Sequence, residues 1–437
     1  MAVSNGGELR EWRRSRGWDV PELARRLRRA ADEPVAAHDG LVRMIRGWER
    51  GDHCPAERYE LLYRRLGLPP ADKNEPESQP PPASGQEDTE PVRRRTFVEL
   101  TGISLAGAML RTSATTNPVI DIEPLVLTLT GTSPESPAES ADLTGLALSV
   151  ARARKEYRAC RYAELASRLP RLLSQLDSAC RCLSGDDRLR ACALSADAYH
   201  VAAGFRLKTG DQGLAHVATD RCMTAALASQ DPLTVGTSAR IVTHTLMSSG
   251  HLAAAVTTAQ NHATRLDQET GTTTPESLSV YGSVLLRGAL APAQHDDRAT
   301  AGEMLAEAAG TARRLGSDAN LRGTAFGPVN TQMHQVNVAV TLGDAGTAID
   351  LARQIDLRAV TVIERKASLL IDVAWAFFQR GKYEQAHAAL RAAEDTAPQE
   401  VATRRSVATL ARDLATLAPA SIRRDAEQFA TRIGTPR

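Results

Sequence analysis

From about Ala141 to Leu417 the chain carries an almost continuous helical pattern, with a break about every 20 residues. Units of that length cannot bury an apolar face alone. Neighbouring helix pairs must therefore stack, and the expected product is an α-solenoid with a concave binding surface. The clearest unit runs from Ala376 through Gly381, Tyr383, Ala386 and Ala393 to Pro398. Gly381 ends a first helix, Tyr383 fills the space between paired helices, and the two alanines let them pack closely. Weaker copies lie at Gly210 with Ala215, Gly250 with Leu252 and Ala255, and Gly343 with Ala345 and Ala348. The glycine spacings are 40, 93 and 38 residues, so the middle interval has room for two longer units. Only 17 residues are aromatic (4 Trp, 7 Tyr and 6 Phe), and that scarcity beside abundant Ala and Leu fits stacked helices better than a β-sandwich.

The small–Gly–Tyr–Ala–Ala–Pro spacing resembles the tetratricopeptide repeat, and residues 141–437 are read as a repeat domain of that kind. Ahead of it the character of the chain changes twice. Residues 69 to 91 hold seven prolines, six acids and one lysine, with no Leu, Ile, Val or aromatic residue. Such a segment cannot bury enough surface to offset its ordering entropy, so 69–92 is read as a disordered Pro/acidic linker. At about 5–6 Å × √n, a flexible stretch of that length spans roughly 25–30 Å. Residues 93–140 are read as a connecting amphipathic helix and loop. Within them RRRTFVELTGISLAGAML (Arg93 to Leu110) looks alone like a twin-arginine export signal, but its place deep inside the chain favours a helix packed on the downstream repeats.

Residues 1–68 read as a helix-turn-helix module. Leu9, Trp12 and Arg13 sit on a first helix ending at Gly17. Asp19, Pro21 and Glu22 supply an N-cap, a first-turn proline and a first-turn acid for a second. A third runs from Leu41 through Trp48 to Gly51, and Pro55 with Tyr59–Leu66 completes a small bundle. Between Glu8 and Arg65 fourteen arginines face eleven acids, a local excess of 14 − 11 = 3. The Glu22–Leu27 segment ELARRL, the Ile45-x-x-Trp48-Glu49-Arg50-Gly51 ending and the following proline resemble the Cro/CI-type (XRE) DNA-binding domains. The stretch Arg28–Asp39 between second and third helices is longer than that family's turn. A similar lengthening occurs in actinobacterial regulators that join this domain to tetratricopeptide repeats. The resemblance implies that the third helix enters the major groove. The base-facing positions then fall on Val42, Arg43, Arg46 and Gly47, while Arg50 with Arg25 or Arg26 suits phosphates. Ile45 and Trp48 belong to the core.

In the repeat region, Asn330, His334 and Asn337 recur at i, i+4 and i+7, one helical face whose amide and imidazole groups offer donors and acceptors to a ligand. Packing against a neighbouring helix is the other use of such a stripe. The FGP-x-N-x-x-x-H segment from Phe326, together with Tyr281, resembles the same actinobacterial group. A more distant likeness to peptide-pheromone-sensing regulators implies that Asn330 and Asn337 would hold a peptide backbone. Phe326 and Tyr281 join them as candidate ligand contacts.

Five of the six cysteines (Cys160, Cys180, Cys182, Cys192 and Cys222) fall in one stretch of the repeats. Cys180 and Cys182 are two apart and point to different helical faces, so free thiols account for them better than a metal site with His200. There is no Walker loop, HExxH or G-x-S-x-G, and catalysis has no positive support. No apolar run spans a membrane and no apolar secretion signal opens the chain. The expectation is an all-α cytoplasmic regulator, a helix-turn-helix domain joined by a flexible linker to a TPR-like α-solenoid. It would bind double-stranded DNA as a homodimer and respond to a peptide or small-molecule signal, with no cofactor and no metal. The alternative is that the repeats only dimerise or bind a protein partner, and the terminal stretches Val401–Leu417 and Ile422–Ile433 offer apolar stripes for pairing.

Overall fold

The computed structural model describes residues 6–31, 36, 38–51, 54–55, 57–68, 120–132 and 142–434. Among these residues every regular element is helical. The segment 69–92 and the helix expected at Arg93–Leu110 lie outside the described residues.

Four helices form the N-terminal bundle: α1 (Gly6–Ser15), α2 (Val20–Ala30), α3 (His38–Arg50) and α4 (Glu57–Arg65). Asp19 caps α2 by accepting the Glu22 amide at 2.6 Å, and α3 stops at Gly51, whose φ of +79° only glycine adopts readily. Leu9, Leu23, Leu27, Ile45 and Trp48 are buried between the helices, with the Trp48 and Tyr59 rings 5.0 Å apart. Arg13 donates to both carboxylate oxygens of Glu49, at 2.5 and 2.8 Å, a buried fork that ties α1 to α3. The segment between the second and third helices is shorter than the sequence suggested. Arg28, Arg29 and Ala30 are good helix formers and continue α2, so only residues 31–37 intervene.

The remaining helices are α5 (Glu123–Thr130), α6 (Leu143–Arg158), α7 (Tyr162–Cys182), α8 (Gly185–Lys208), α9 (Gln212–Ser229), α10 (Pro232–Ser248), α11 (Leu252–Thr270), α12 (Pro275–Gly288), α13 (Leu290–Gln294), α14 (Arg298–Leu315), α15 (Pro328–Leu342), α16 (Ala345–Arg353), α17 (Ile363–Gln379), α18 (Tyr383–Thr396), α19 (Pro398–Thr403), α20 (Arg405–Leu417) and α21 (Ala420–Gly434). They stack as successive pairs: α8 on α9, α10 on α11, α12 on α14, α15 on α16, α17 on α18 and α20 on α21. Gly210, Gly250, Gly343 and Gly381 each stand at a helix end with positive φ, as the turn positions require. Ala386 and Ala393 are fully buried, and the Tyr383 ring lies 5.6 Å from that of Phe378.

The stack does not remain open. Its first helices meet its last ones, because α6 packs on α17 and the main-chain N–H of Tyr162 donates to Gln399 Oε1 at 2.7 Å. At the closure Lys208 Nζ donates to Glu364 at 2.8 Å and to Glu400 at 2.6 Å. Arg404 reaches Glu400 at 2.5 Å, and the Tyr162 hydroxyl donates to the second Glu400 oxygen. Burial alone would lower the Lys208 pKa, but the two carboxylates outweigh it and hold it above its ordinary value.

The C-terminal stripes read from sequence as available for pairing pack largely within the chain. α20 and α21 pack on each other, burying Leu410, Leu414 and Phe429, and the Phe429 ring meets that of His387 on α18 edge-on at 5.7 Å. No helix among the described residues is long and apolar enough to cross a membrane.

Candidate functional site

A cavity of about 410 Å³ lies inside the ring, lined chiefly from α6, α8, α10, α12, α15 and α17, with further residues from α9, α13 and α20. That volume is in the range of pockets that enclose a small organic ligand. Four of these helices turn a stripe inward at one helical period. α15 presents Asn330, His334 and Asn337; α8 presents His200, Gly204 and Lys208; α10 presents Arg240, His244 and Ser248; α17 presents Glu364, Ser368 and Asp372. Residues four apart lie one above another on a helix, so these sets face the same space.

The walls carry six cations (Lys208, Arg240, Arg287, Arg365, Arg404 and Arg405) against two carboxylates (Glu364 and Asp372), an excess of 6 − 2 = 4. The carboxylates are not shared evenly. Glu364 and Glu400 are occupied by Lys208 and Arg404, and Glu364 also meets Arg365 at 3.4 Å. Arg240 donates to His200 Nε2 at 3.2 Å and reaches no carboxylate among the described residues. Burial, and then the neighbouring Arg365, lowers Arg240 to about 9 and Arg287 to about 10.

The histidines are held neutral. Burial, with Arg365 and Arg287 nearby, lowers His334 to about 3, and burial lowers His200 and His244 well below the ordinary value. His334 Nδ1 lies 2.9 Å from the Asn330 main-chain carbonyl. A carbonyl only accepts, so Nδ1 carries the proton and Nε2 is left as an acceptor. Burial raises Asp372 to about 6, an effect the Asn337 side chain opposes by hydrogen bonding.

Stability should therefore depend on pH in a defined sense. Between its folded pKa of about 3 and the ordinary value of about 6.5, His334 binds more protons in the unfolded chain. Its contribution is present above about 6.5 and is lost as the pH falls toward 3. Asp372 acts oppositely, stabilising below about 4 and losing that effect as the pH rises through 6. From pH 7 to pH 5, His334 alone should cost about 2 kcal/mol. In melting curves taken across that interval, His334→Asn should show a shallower fall than the native chain; equal slopes would contradict a neutral buried imidazole.

Of the residues singled out from sequence, Asn330, His334 and Asn337 line the cavity, whereas Phe326 and Tyr281 do not. Phe326 is fully buried in the space left by the missing side chain of Gly282, so its ring is core. Tyr281 points along another face of α12 and donates to Glu307 at 3.3 Å on the outside.

The arginines of the third helix have an unexpected place. α3 rests on α15 and α17, and its core is continuous with that of the last helices of the chain. Arg43 stacks over Trp375 of α17 at 4.2 Å. Arg46 donates to the Thr341 carbonyl at 3.2 Å and to the Gln294 carbonyl at 3.0 Å. Arg50 donates to the Leu342 carbonyl at 2.5 Å and pairs with Asp344 at 2.9 Å. These acceptors exist because a helix leaves its last four carbonyls without intrahelical partners. At the end of α15 the amides of Asp344 and Gly343 return to Ala339 and Val340. That leaves Thr341 and Leu342 to accept from α3, where the negative end of the helix dipole favours a cation. Val42 is half-buried and Gly47 buried on the same helix. Arg25 and Arg26 lie elsewhere, both paired with Glu22 on α2 at 2.8 Å. Between the bundle and the ring a second cavity of about 220 Å³ is lined by Arg10, Arg14, Arg46, Arg50, Asp296 and Arg298, among others.

Among the described residues no group of three or more His, Cys, Asp or Glu side chains is arranged to hold a metal ion. Burial raises the thiols of Cys160 and Cys222 to about 12, which leaves them unreactive. No protein-family model matches this chain, and no curated protein is significantly similar to it.

Proposed function

We propose that the chain is a DNA-binding transcription regulator of the helix-turn-helix type, in which the ring senses a diffusible signal and controls whether α3 can reach DNA. One observation carries this reading: α3 is seated on α15 and α17, two of the helices whose other faces line the cavity. Arg43, Arg46 and Arg50 carry the chemistry that reads guanine edges and phosphates, yet they are engaged by an indole ring, main-chain carbonyls and Asp344. Side chains that make these contacts are not available to DNA, so this arrangement is read as the closed one. A signal that moves α15 or α17 would disturb the acceptors directly and free the helix. In the open form the regulator would act in the cytoplasm on paired half-sites as a homodimer, because one small module buries too little surface for strong specificity.

Selection of duplexes from a random library with the whole chain tests the reading. Arg43→Ala and Arg46→Ala each remove a groove contact and also loosen the docked form, so affinity alone moves in two directions. Base preference does not. Each variant should lose discrimination of roughly 1–3 kcal/mol at its own position in the selected site. Enrichment of no sequence, or an unchanged preference in both variants, would overturn DNA recognition by α3.

A further inference from the structure

The cavity holds more positive charge than its own carboxylates balance, and its unpaired groups say what would complete it. Arg287, on the last turn of α12, makes no hydrogen bond or ion pair among the described residues, and Arg240 reaches no carboxylate there. The two face Arg365 closely enough that each feels the others' charge. Asn330, only 6% exposed, has a side-chain oxygen that accepts nothing. Because Arg240 donates to His200 Nε2, the proton of that neutral ring sits on Nδ1, which also lacks a partner. An adjoining chamber of about 60 Å³ shares Tyr157, His200, Arg240, Glu364 and Arg365 and adds Arg154, Arg158 and Asp197, of which Arg154 and Asp197 pair at 2.8 Å.

Holding half-buried guanidinium groups without counter-charge is costly, whereas a bound anion turns each into a charge-assisted hydrogen bond. Fixed forks of N–H donors match carboxylate and phosphate oxygens in particular. We infer that the cavity binds a small organic anion, a phosphate- or carboxylate-bearing metabolite, with its charged group among Arg240, Arg287 and Arg365 and its hydroxyl or amino donors toward Asn330. The inference names the ligand class for the sensing role proposed above, but its test involves no DNA. Failure of anion binding and failure of DNA recognition are therefore separate results.

The probes are inorganic pyrophosphate and citrate, titrated into the full chain by calorimetry and thermal melting at constant ionic strength, with glucose as an uncharged control. One or both anions should bind and raise the melting temperature, the better one identifying phosphate or carboxylate as the preferred group. Glucose should do neither. Arg287→Gln should bind the preferred anion about tenfold or more weakly, and without anion it should melt at or above the native temperature, because a half-buried cation without counter-charge has been removed. Arg240→Gln should weaken binding likewise, which keeps the test open if one variant folds poorly. Arg14→Gln, in the cavity between bundle and ring, should leave anion binding unchanged. No binding of either anion, native affinity in both cavity variants, or loss confined to Arg14→Gln would overturn the proposal.

Discussion

A chain carrying Gly40→Leu should bind a selected duplex about 5–150-fold more tightly than the native chain, the span that corresponds to a coupling of 1–3 kcal/mol. Gly40 lies in the first turn of α3 and faces the ring. A Cβ there would stand 3.0 Å from Asp413 Oδ2, 3.6 Å from the Trp375 ring and 3.7 Å from the Phe378 ring. A leucine needs the space these groups fill, so it forces α3 off α17. Within the helix itself leucine is the better former by close to 1 kcal/mol. The substitution therefore opposes docking without weakening the helix proposed to read DNA, and it leaves every charge in place. Duplex titrations at one fixed salt concentration check it, since affinity for DNA depends steeply on salt. Equal affinities would mean that docking does not restrain α3.

The largest loss of stability should come from Glu400→Ala. Glu400 is fully buried and joins Lys208, Arg404 and Tyr162 across the ring closure. Its removal leaves a buried and a half-buried cation sharing Glu364 and a buried hydroxyl without its acceptor. Breaking a buried pair in this way costs about 3–5 kcal/mol. Tyr162→Phe removes one hydrogen bond and keeps the charges balanced, so its cost should be about 1–2 kcal/mol. Urea unfolding of the two variants beside the native chain gives both values. A Glu400→Ala cost as small as that of Tyr162→Phe would show that this network does not close the ring.

What could be read from the sequence was local. The turn glycines at 210, 250, 343 and 381 mark helix ends through a backbone conformation few other residues tolerate. The stripe of Asn330, His334 and Asn337 was visible because a helix aligns residues three and four apart. The equivalent stripes on α8, α10 and α17 obey the same rule and were legible in principle. His200–Lys208, Arg240–Ser248 and Glu364–Asp372 simply lack the amide-rich signature that drew attention to α15. Phe326 went to the core because Gly282, a residue distant in sequence, leaves room for its ring. The closure and the docking were not legible at all. Lys208 is 156 residues from Glu364 and 192 from Glu400, and Arg46 is 295 from Thr341. No periodicity links residues so far apart. Direct seating of α3 on α15 and α17 puts the N-terminal bundle in contact with helices that line the cavity.

If α3 is held against the cavity helices and leaves them to read DNA, hydrogen–deuterium exchange should register both states. The segments to follow are α3 and the end of α15, from Ala339 to Gly346, in the native chain alone, in Gly40→Leu alone, and in the native chain saturated with a selected duplex. Exchange should be slow in both segments of the native chain and faster at the end of α15 in the variant. With DNA bound, the end of α15 should become equally fast while α3 stays protected by its new partner. Slow exchange at the end of α15 in all three samples would contradict release, because α3 would then meet DNA without ever leaving the ring.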